Sequence, residues 1–212
     1  LRAGQRNCIG VTFSATLDRV PISETLLSYL FSHLYRLFGA KGIEVSFDFG
    51  PGVPSDSPDY ARGLWSRRFG GLVVLGPLAA SDPVVARIHA SMHPYLTTSR
   101  TDSLPECSSA AVDLERAAFM STKFLLDRGH RRIALLTSFE GYNAGAERRR
   151  GHVQALLEAG IEKDESLIRG TPFVSDKVSM LIHRLLMDRK ITALIDSSAG
   201  QDSKGIREGV RL

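Results

Sequence analysis

The feature that most constrains the fold is a recurring order of β-rich run, polar turn and amphipathic helix. In the first half of the chain, the β-rich runs predict four strands, at residues 8–13, 43–49, 71–75 and 95–99. Helices are predicted between them, from a cap at Ser23 to Gly39 and at residues 59–68 and 82–91. The run at 71–75 is apolar throughout, which is typical of a central parallel strand covered on both faces.

A polar stretch at residues 100–109 interrupts this order, which then starts again. Asp113 is predicted to cap a helix that ends near Arg128. Strands are predicted at 133–136, 167–168 and 191–195, and further helices at 144–159, at 176–188 and from Ser203. Two alternating halves predict an α/β fold with two doubly wound subdomains and a cleft between the strand ends. Because the second half has only three predicted strands, we expect it to be incomplete.

Composition argues against several classes of protein. No apolar run approaches the roughly 20 residues of a membrane helix, and no apolar segment follows the polar residues 1–7 as in a secretory signal. Cys8 and Cys107 lack the spacing of a disulfide framework or metal site, which favours reduced thiols and a cytoplasmic location. The net charge of +4 is a weak indication of nucleic-acid binding, since the arginines are spread along the chain. From its start at Leu1, we expect the chain to be part of a larger protein.

Catalytic signatures are missing from the sequence. It has no glycine-rich dinucleotide or phosphate loop, no G-x-S-x-G elbow and no H-E-x-x-H motif. None of the six histidines pairs with another at ligand spacing on one predicted helix. We therefore expect a protein that is not an enzyme and that carries neither a cofactor nor a metal ion.

Four motifs in the second half occur in a characteristic order and spacing. They lie at residues 112–118, 129–134, 148–156 and 159–161. The series resembles the core of the LacI/GalR sensor domain, whose members read D-x-x-x-A, G-H-R-R-I-A, R-x-x-G-[YF]-x-x-A-L and A-G-I. The first half is similar more loosely, at residues 9–11, 70–75 and 94–100.

This resemblance implies a periplasmic-binding-protein-like fold of type I with two Rossmann-like subdomains. Residues 9–100 would form the N-terminal effector-binding subdomain, 101–112 the crossover and 113–212 an incomplete C-terminal subdomain. Residues 1–8 would be the remnant of a linker that follows an absent DNA-binding headpiece.

The resemblance also implies a function and partners. A small effector, commonly a sugar or a purine, would bind in the cleft and control operator DNA binding by a homodimeric repressor. DNA would be read only through the headpiece. The alternative is a solute-binding protein that serves a transporter, although the G-H-R-R-I-A context favours the regulator.

Arg148 matches the family arginine that reaches the effector. A planar guanidinium can bridge two vicinal oxygens or a carboxylate. In the alternative interpretation, Arg148 is one of three adjacent surface arginines, of which Arg149 and Arg150 are expected to be solvated.

Further candidates follow predicted strands. Ser14 and Asp18 lie in the loop after the first strand and either line the cleft or are solvated. After the strand at 133–136, Ser138 is a polar candidate, and Tyr142 or Phe139 either stacks on a ligand ring or serves packing. Arg100 lies at the crossover, where we favour a structural role over ligand contact.

The sequence departs from the family pattern at two places. Members usually carry Asn-Asp after the strand equivalent to 191–195, where this chain reads Asp196-Ser197-Ser198-Ala199-Gly200. Asp196 or Asp202 is the candidate replacement for the aspartate that grips ligand hydroxyls. Leu114 stands where asparagine is frequent, beside the predicted cap Asp113. Both changes argue against an ordinary hexose as effector.

Overall fold

The computed structural model describes residues 7–14, 24–49, 59–137, 142–170, 175–197 and 203–211. Contacts between Cα atoms divide the chain into two compact units, Leu1–Val112 and Asp113–Leu212. Among the residues described, no helix combines the length and the apolar character that a membrane span requires.

The first unit is a parallel sheet with helices. Its strands are β1 (Cys8–Phe13), β2 (Glu44–Asp48), β3 (Gly71–Leu75) and β4 (Tyr95–Thr97), in the order β2-β1-β3-β4. All described pairings are parallel, as predicted. The helices are α1 (Glu24–Gly39), α2 (Arg62–Trp65) and α3 (Pro83–Ala90). The predicted cap at Ser23 lies outside the described residues.

Two of the predicted elements in this unit are shorter than expected. The helix predicted at 59–68 is reduced to the four residues of α2, and it cannot continue to residue 68 because Arg67 has a positive φ of 57° that an α-helix does not accommodate. Strand β4 ends at Thr97, because the next side chains bond to the end of β3. The hydroxyl of Thr98 accepts from the Gly76 backbone at 3.3 Å, and that of Ser99 donates to the Gly76 carbonyl at 2.7 Å.

Strand β3 is buried along its whole length, which confirms its prediction as a central strand. Leu72 and Val74 pack into a cluster with residues of α2 and α3, such as Leu64 and Ile88. Val73 and Leu75 pack on the opposite face with β1 and with α1. The alternation of side chains along a strand thus serves two apolar layers at once.

The second unit repeats the same architecture with three strands. They are β5 (Ile133–Thr137), β6 (Ile168–Gly170) and β7 (Ala193–Asp196), in the parallel order β6-β5-β7. Its helices are α4 (Leu114–Leu126), α5 (Asn143–Glu158), α6 (Ser175–Met187) and α7 (Ser203–Arg211), with a 3-10 helix at Glu165–Leu167. Asp113 caps α4 as predicted, because its carboxylate accepts from the Arg116 backbone at 2.9 Å. Strand β7 starts later than expected, since the Ile191 amide bonds back to the Leu185 carbonyl at the end of α6.

The sheet of the second unit is also covered on both faces. Ala134 and Leu136 pack with α6, through residues such as Val178 and Ile182. Ile133 packs on the opposite face, in a cluster with residues of α4 and α5. Helices α4 and α5 therefore form one layer, in which the middle of α5, at Gly151, lies against the first turn of α4, at Glu115.

Candidate functional site

The carboxyl ends of parallel strands are the usual ligand-binding edge of an open α/β sheet. In the second unit, this edge lies where β5 ends at Thr137 and β7 ends at Asp196. Helix α5 begins on the same side, directly after Tyr142, whose extended backbone serves as its N-cap residue. Polar side chains at the start of α5 and at the ends of β5 and β7 are therefore the candidate ligand contacts of this unit.

Arg148 lies in the second turn of α5 and is half-buried. One guanidinium nitrogen donates a long bond of 3.4 Å to the carbonyl of Ala144, and no ion pair joins Arg148 to any other described residue. Burial lowers the pKa of its guanidinium from the usual value, while the neighbouring carboxylate of Glu147 acts in the opposite direction. A cation that has lost part of its hydration and retains unused donors is suited to bind an anion or a pair of hydroxyls.

The other two arginines of this run have partners. Arg149 forms an ion pair with Glu165, and Arg150 forms one with Glu115 at 2.8 Å. Both arginine side chains are more than 40% exposed. The structure therefore distinguishes the half-buried Arg148 from two solvated neighbours, as the sequence predicted for Arg149 and Arg150.

Asn143 and Glu147 form a buried polar pair in the turn that directly precedes Arg148. The Asn143 amide nitrogen donates to the Glu147 carboxylate at 3.0 Å, and both residues are buried. The amide oxygen Oδ1 of Asn143 is buried and has no hydrogen-bond partner among the described residues. Since buried acceptors are normally satisfied, this oxygen is available to a donor. This pair was not among the site residues predicted from the sequence. An asparagine and a glutamate at positions i and i+4, directly before Arg148, could have indicated it.

Asp196 ends β7 beside β5, in register with Leu136. Its side chain is exposed at this edge. Directly after it, the backbone amide of Ser197 donates to the Leu136 carbonyl at 3.1 Å and extends the pairing by one residue. The structure thus brings Asp196, Tyr142 and Arg148 to the same edge of the second unit.

In the first unit, Ser14 joins two strand ends. Its hydroxyl lies 2.6 Å from the carbonyl of Pro77 and 3.3 Å from that of Leu75. A hydroxyl has a single proton, so the bonds to these carbonyls use its donor and leave an acceptor lone pair. Arg100, three residues after β4, is exposed. The remaining predicted candidates, Asp18, Ser138, Phe139 and Asp202, lie outside the described residues.

Two aromatic rings stack on each other at the carboxyl ends of β1 and β2 in this unit. The rings of Phe13 and Phe49 lie 5.5 Å apart and nearly parallel, at an angle of 15°. Phe13 is buried, whereas Phe49 is 56% exposed and presents its free face to solvent. An exposed ring on a buried ring is the kind of surface on which the apolar face of a sugar packs. From the sequence, Phe49 was predicted as a strand residue and not as a ligand contact.

Within the described part of the chain, no three histidine, cysteine, aspartate or glutamate side chains are grouped as a metal site. The two cysteines are buried free thiols.

Residues 53–205 match the sequence profile of a family described as periplasmic binding proteins and sugar binding domain of LacI family. The HTH-type transcriptional regulator CelR of Thermobifida fusca is 34% identical over 119 residues, which are 55% of this chain and 35% of CelR. Across the curated relatives, the chain spans about half of their length or less.

Solved structures share the fold. A regulatory protein of LacI family from Chloroflexus aggregans superposes with a TM-score of 0.79 at 21% identity, over 97% of this chain and 73% of that protein. A complex of the transcriptional regulator CelR with cellobiose superposes with a TM-score of 0.77 at 22% identity, over 98% of this chain and 63% of that protein.

Proposed function

The chain belongs to the family of periplasmic binding proteins and LacI-type sugar-binding domains, and on that premise we propose that it binds a small polyhydroxylated effector. The observation that carries the proposal is Arg148, a half-buried guanidinium at the carboxyl edge of the sheet with donors left for a ligand. Its planar donor set matches two neighbouring oxygens of a sugar or a polyol.

The surrounding groups support a hydroxyl-rich ligand. The Asn143 amide oxygen accepts hydrogen bonds and Arg148 donates them, so a hydroxyl, which does both, complements the pair. We propose Asp196 as a further acceptor and Tyr142 as a ring contact. In the first unit, the exposed face of Phe49 and the hydroxyl of Ser14 offer the apolar and polar surface that a sugar ring requires.

The names of the relatives support a regulatory role over a catalytic one. Those that the chain matches include transcriptional regulators, and one solved complex holds the disaccharide cellobiose. We propose that this chain is the effector-binding and dimerisation part of a longer bacterial regulator. Effector binding would shift the populations of its conformations and thereby the affinity of the DNA-binding segment for its operator.

The test is a ligand screen with the full chain. Its thermal unfolding is measured with monosaccharides, disaccharides, sugar phosphates, polyols and purines, each at high concentration. A ligand at a hundred times its dissociation constant adds about 2.7 kcal/mol of stability, which raises the melting temperature clearly. A sugar or polyol that stabilises the protein and saturates at one site by calorimetry is the expected result. A folded protein that responds only to purines, or to nothing in the panel, would refute the polyhydroxylated effector.

A further inference from the structure

A fully buried histidine connects the two helices α4 and α5. His152 has no exposed surface and contacts Thr122 of α4, with its Nδ1 atom 2.9 Å from the threonine hydroxyl. Burial lowers the pKa of the imidazole from 6.5 to about 4, so the ring is neutral near pH 7. A neutral imidazole carries one N–H donor and one bare nitrogen acceptor.

The hydrogen bonds of Thr122 decide which ring nitrogen carries the proton. The Thr122 hydroxyl lies 2.8 Å from the backbone carbonyl of Ala118, one turn earlier in α4. A carbonyl only accepts, so the single hydroxyl proton points to Ala118 and the hydroxyl oxygen faces His152 as an acceptor. Both contacts of the Thr122 hydroxyl are hydrogen bonds at once only if Nδ1 carries the ring proton and donates it to Thr122. Nε2 is left as a bare acceptor.

The Nε2 nitrogen of His152 is the unsatisfied side of the ring within the described part of the chain. Nε2 of His152 is buried and has no hydrogen-bond partner among the described residues. A buried acceptor without a donor destabilises the folded state, because its hydration is lost and not replaced. The cost is avoided if a small molecule with an O–H or N–H group occupies the space beside the ring.

Such a space exists next to His152. A cavity of about 50 Å³ adjoins the ring, and four apolar residues and four charged residues line it together with His152: Ile133, Leu156, Ile161, Leu167, Arg131, Arg132, Glu162 and Asp164. Thr122, the partner of Nδ1, is not among these lining residues. A water molecule needs only about 10–15 Å³ of such space, together with two or more polar partners.

We propose that this cavity holds an ordered water molecule that donates a hydrogen bond to Nε2 of His152. The guanidinium of Arg131 or Arg132 donates to the water oxygen, and the carboxylate of Glu162 or Asp164 accepts its second proton. The water joins α5 to the segment that follows it, at residues 161–167, and to the start of β5. It is a built-in part of the second unit, because the tautomer set by Thr122 leaves an acceptor that none of the described residues satisfies.

The first measurement is made on the unaltered, ¹⁵N-labelled chain near pH 7. Long-range ¹H–¹⁵N correlation spectra identify the protonated ring nitrogen of His152, and water-selective spectra detect a bound water near the ring. We expect a protonated Nδ1, a bare Nε2 and a cross-peak from the ring to a long-lived water. A proton on Nε2, or a dry cavity beside a bare Nε2, would overturn the proposal.

Two nearly isosteric variants separate the proposed water from simple packing. Thr122→Val removes the hydroxyl acceptor, so the lock on the tautomer is lost and a fraction of rings with the proton on Nε2 appears, with a weaker water signal. Ser121→Ala is the matched control, because Ser121 is the exposed neighbour of Thr122 in α4 and its hydroxyl donates to the Ala117 carbonyl at 2.9 Å. This control leaves the His152 signals unchanged. A Thr122→Val protein that keeps a bare Nε2 and the full water signal would contradict the role assigned to Thr122.

Discussion

Gly151 of α5 lies against the backbone of Glu115 in α4. A Cβ atom on the glycine would stand 2.8 Å from the Glu115 carbonyl carbon and 2.9 Å from the Phe119 nitrogen, closer than Cβ atoms approach backbone in real structures. Gly151→Ala therefore forces the two helices apart, and we expect it to lower the free energy of unfolding by about 1–3 kcal/mol in urea denaturation. Gly39→Ala is the matched control, since nothing lies within 4 Å of its added Cβ. Equal effects of the two variants would show that α4 and α5 are not packed through Gly151.

Arg148→Ala is expected to abolish the effector binding found in the screen. Loss of a charged hydrogen-bond donor to the ligand weakens the affinity by at least tenfold, which corresponds to about 1.4 kcal/mol. Arg149→Ala is the matched control, because it removes the neighbouring arginine, whose ion pair with Glu165 is exposed. The affinity of this variant for the effector should stay within twofold of that of the parent protein. Isothermal titration of the two variants and the parent protein gives the comparison. Equal losses of affinity in the two variants would indicate a general effect of the lost positive charge and not a specific contact of Arg148.

His152 makes the stability of the second unit depend on pH. Because its pKa falls from 6.5 in the unfolded chain to about 4 in the folded protein, the unfolded state binds more protons between these values. The contribution is fully present above pH 6.5 and is lost as the pH falls to 4, by about 3 kcal/mol in total. Urea denaturation at a series of pH values measures this slope.

His152→Phe tests this origin, since phenylalanine fills a similar space and does not titrate. We expect the part of the slope between pH 4 and 6.5 that belongs to His152 to vanish in this variant. His33→Phe, at an exposed position of α1, should keep it. An unchanged slope in His152→Phe would assign the acid sensitivity to other groups.

Asp48 is a buried carboxylate between two arginines. Arg62 approaches it at 2.7 Å and Arg68 at 3.6 Å, and its side chain is only 8% exposed. Asp48→Asn removes the negative charge while both cations remain, so we expect a loss of about 1–3 kcal/mol in the free energy of unfolding. Asp127→Asn, in an exposed pair with Lys123, should cost no more than about 0.5 kcal/mol. Comparable losses in denaturant titrations would mean that the burial of Asp48 adds nothing to its ion pairs.

The α/β architecture was predictable because it depends on short-range patterns. The apolar runs of β3 and β5 are long enough to be buried on both faces, and Asp82 and Asp113 are followed by the helices that they cap. The fold predicted from the motifs, that of the periplasmic binding proteins, is confirmed by the family match and the solved structures. Element ends were less predictable, since β4 ends where Thr98 and Ser99 bond to Gly76, a residue more than twenty positions away.

The sequence by itself determined the two alternating halves, the parallel sheets and the position of Arg148 at the start of α5. Only the tertiary structure decided which polar groups are desolvated and what they bond to. Ser14 bonds to a carbonyl 63 positions away, and His152 meets Thr122 across 30 positions. Hydrophobic periodicity acts over one or two turns and fixes the elements. Burial, tautomer and hydrogen-bond partners depend on how those elements pack, because desolvation is a property of the surrounding atoms and not of neighbours in sequence.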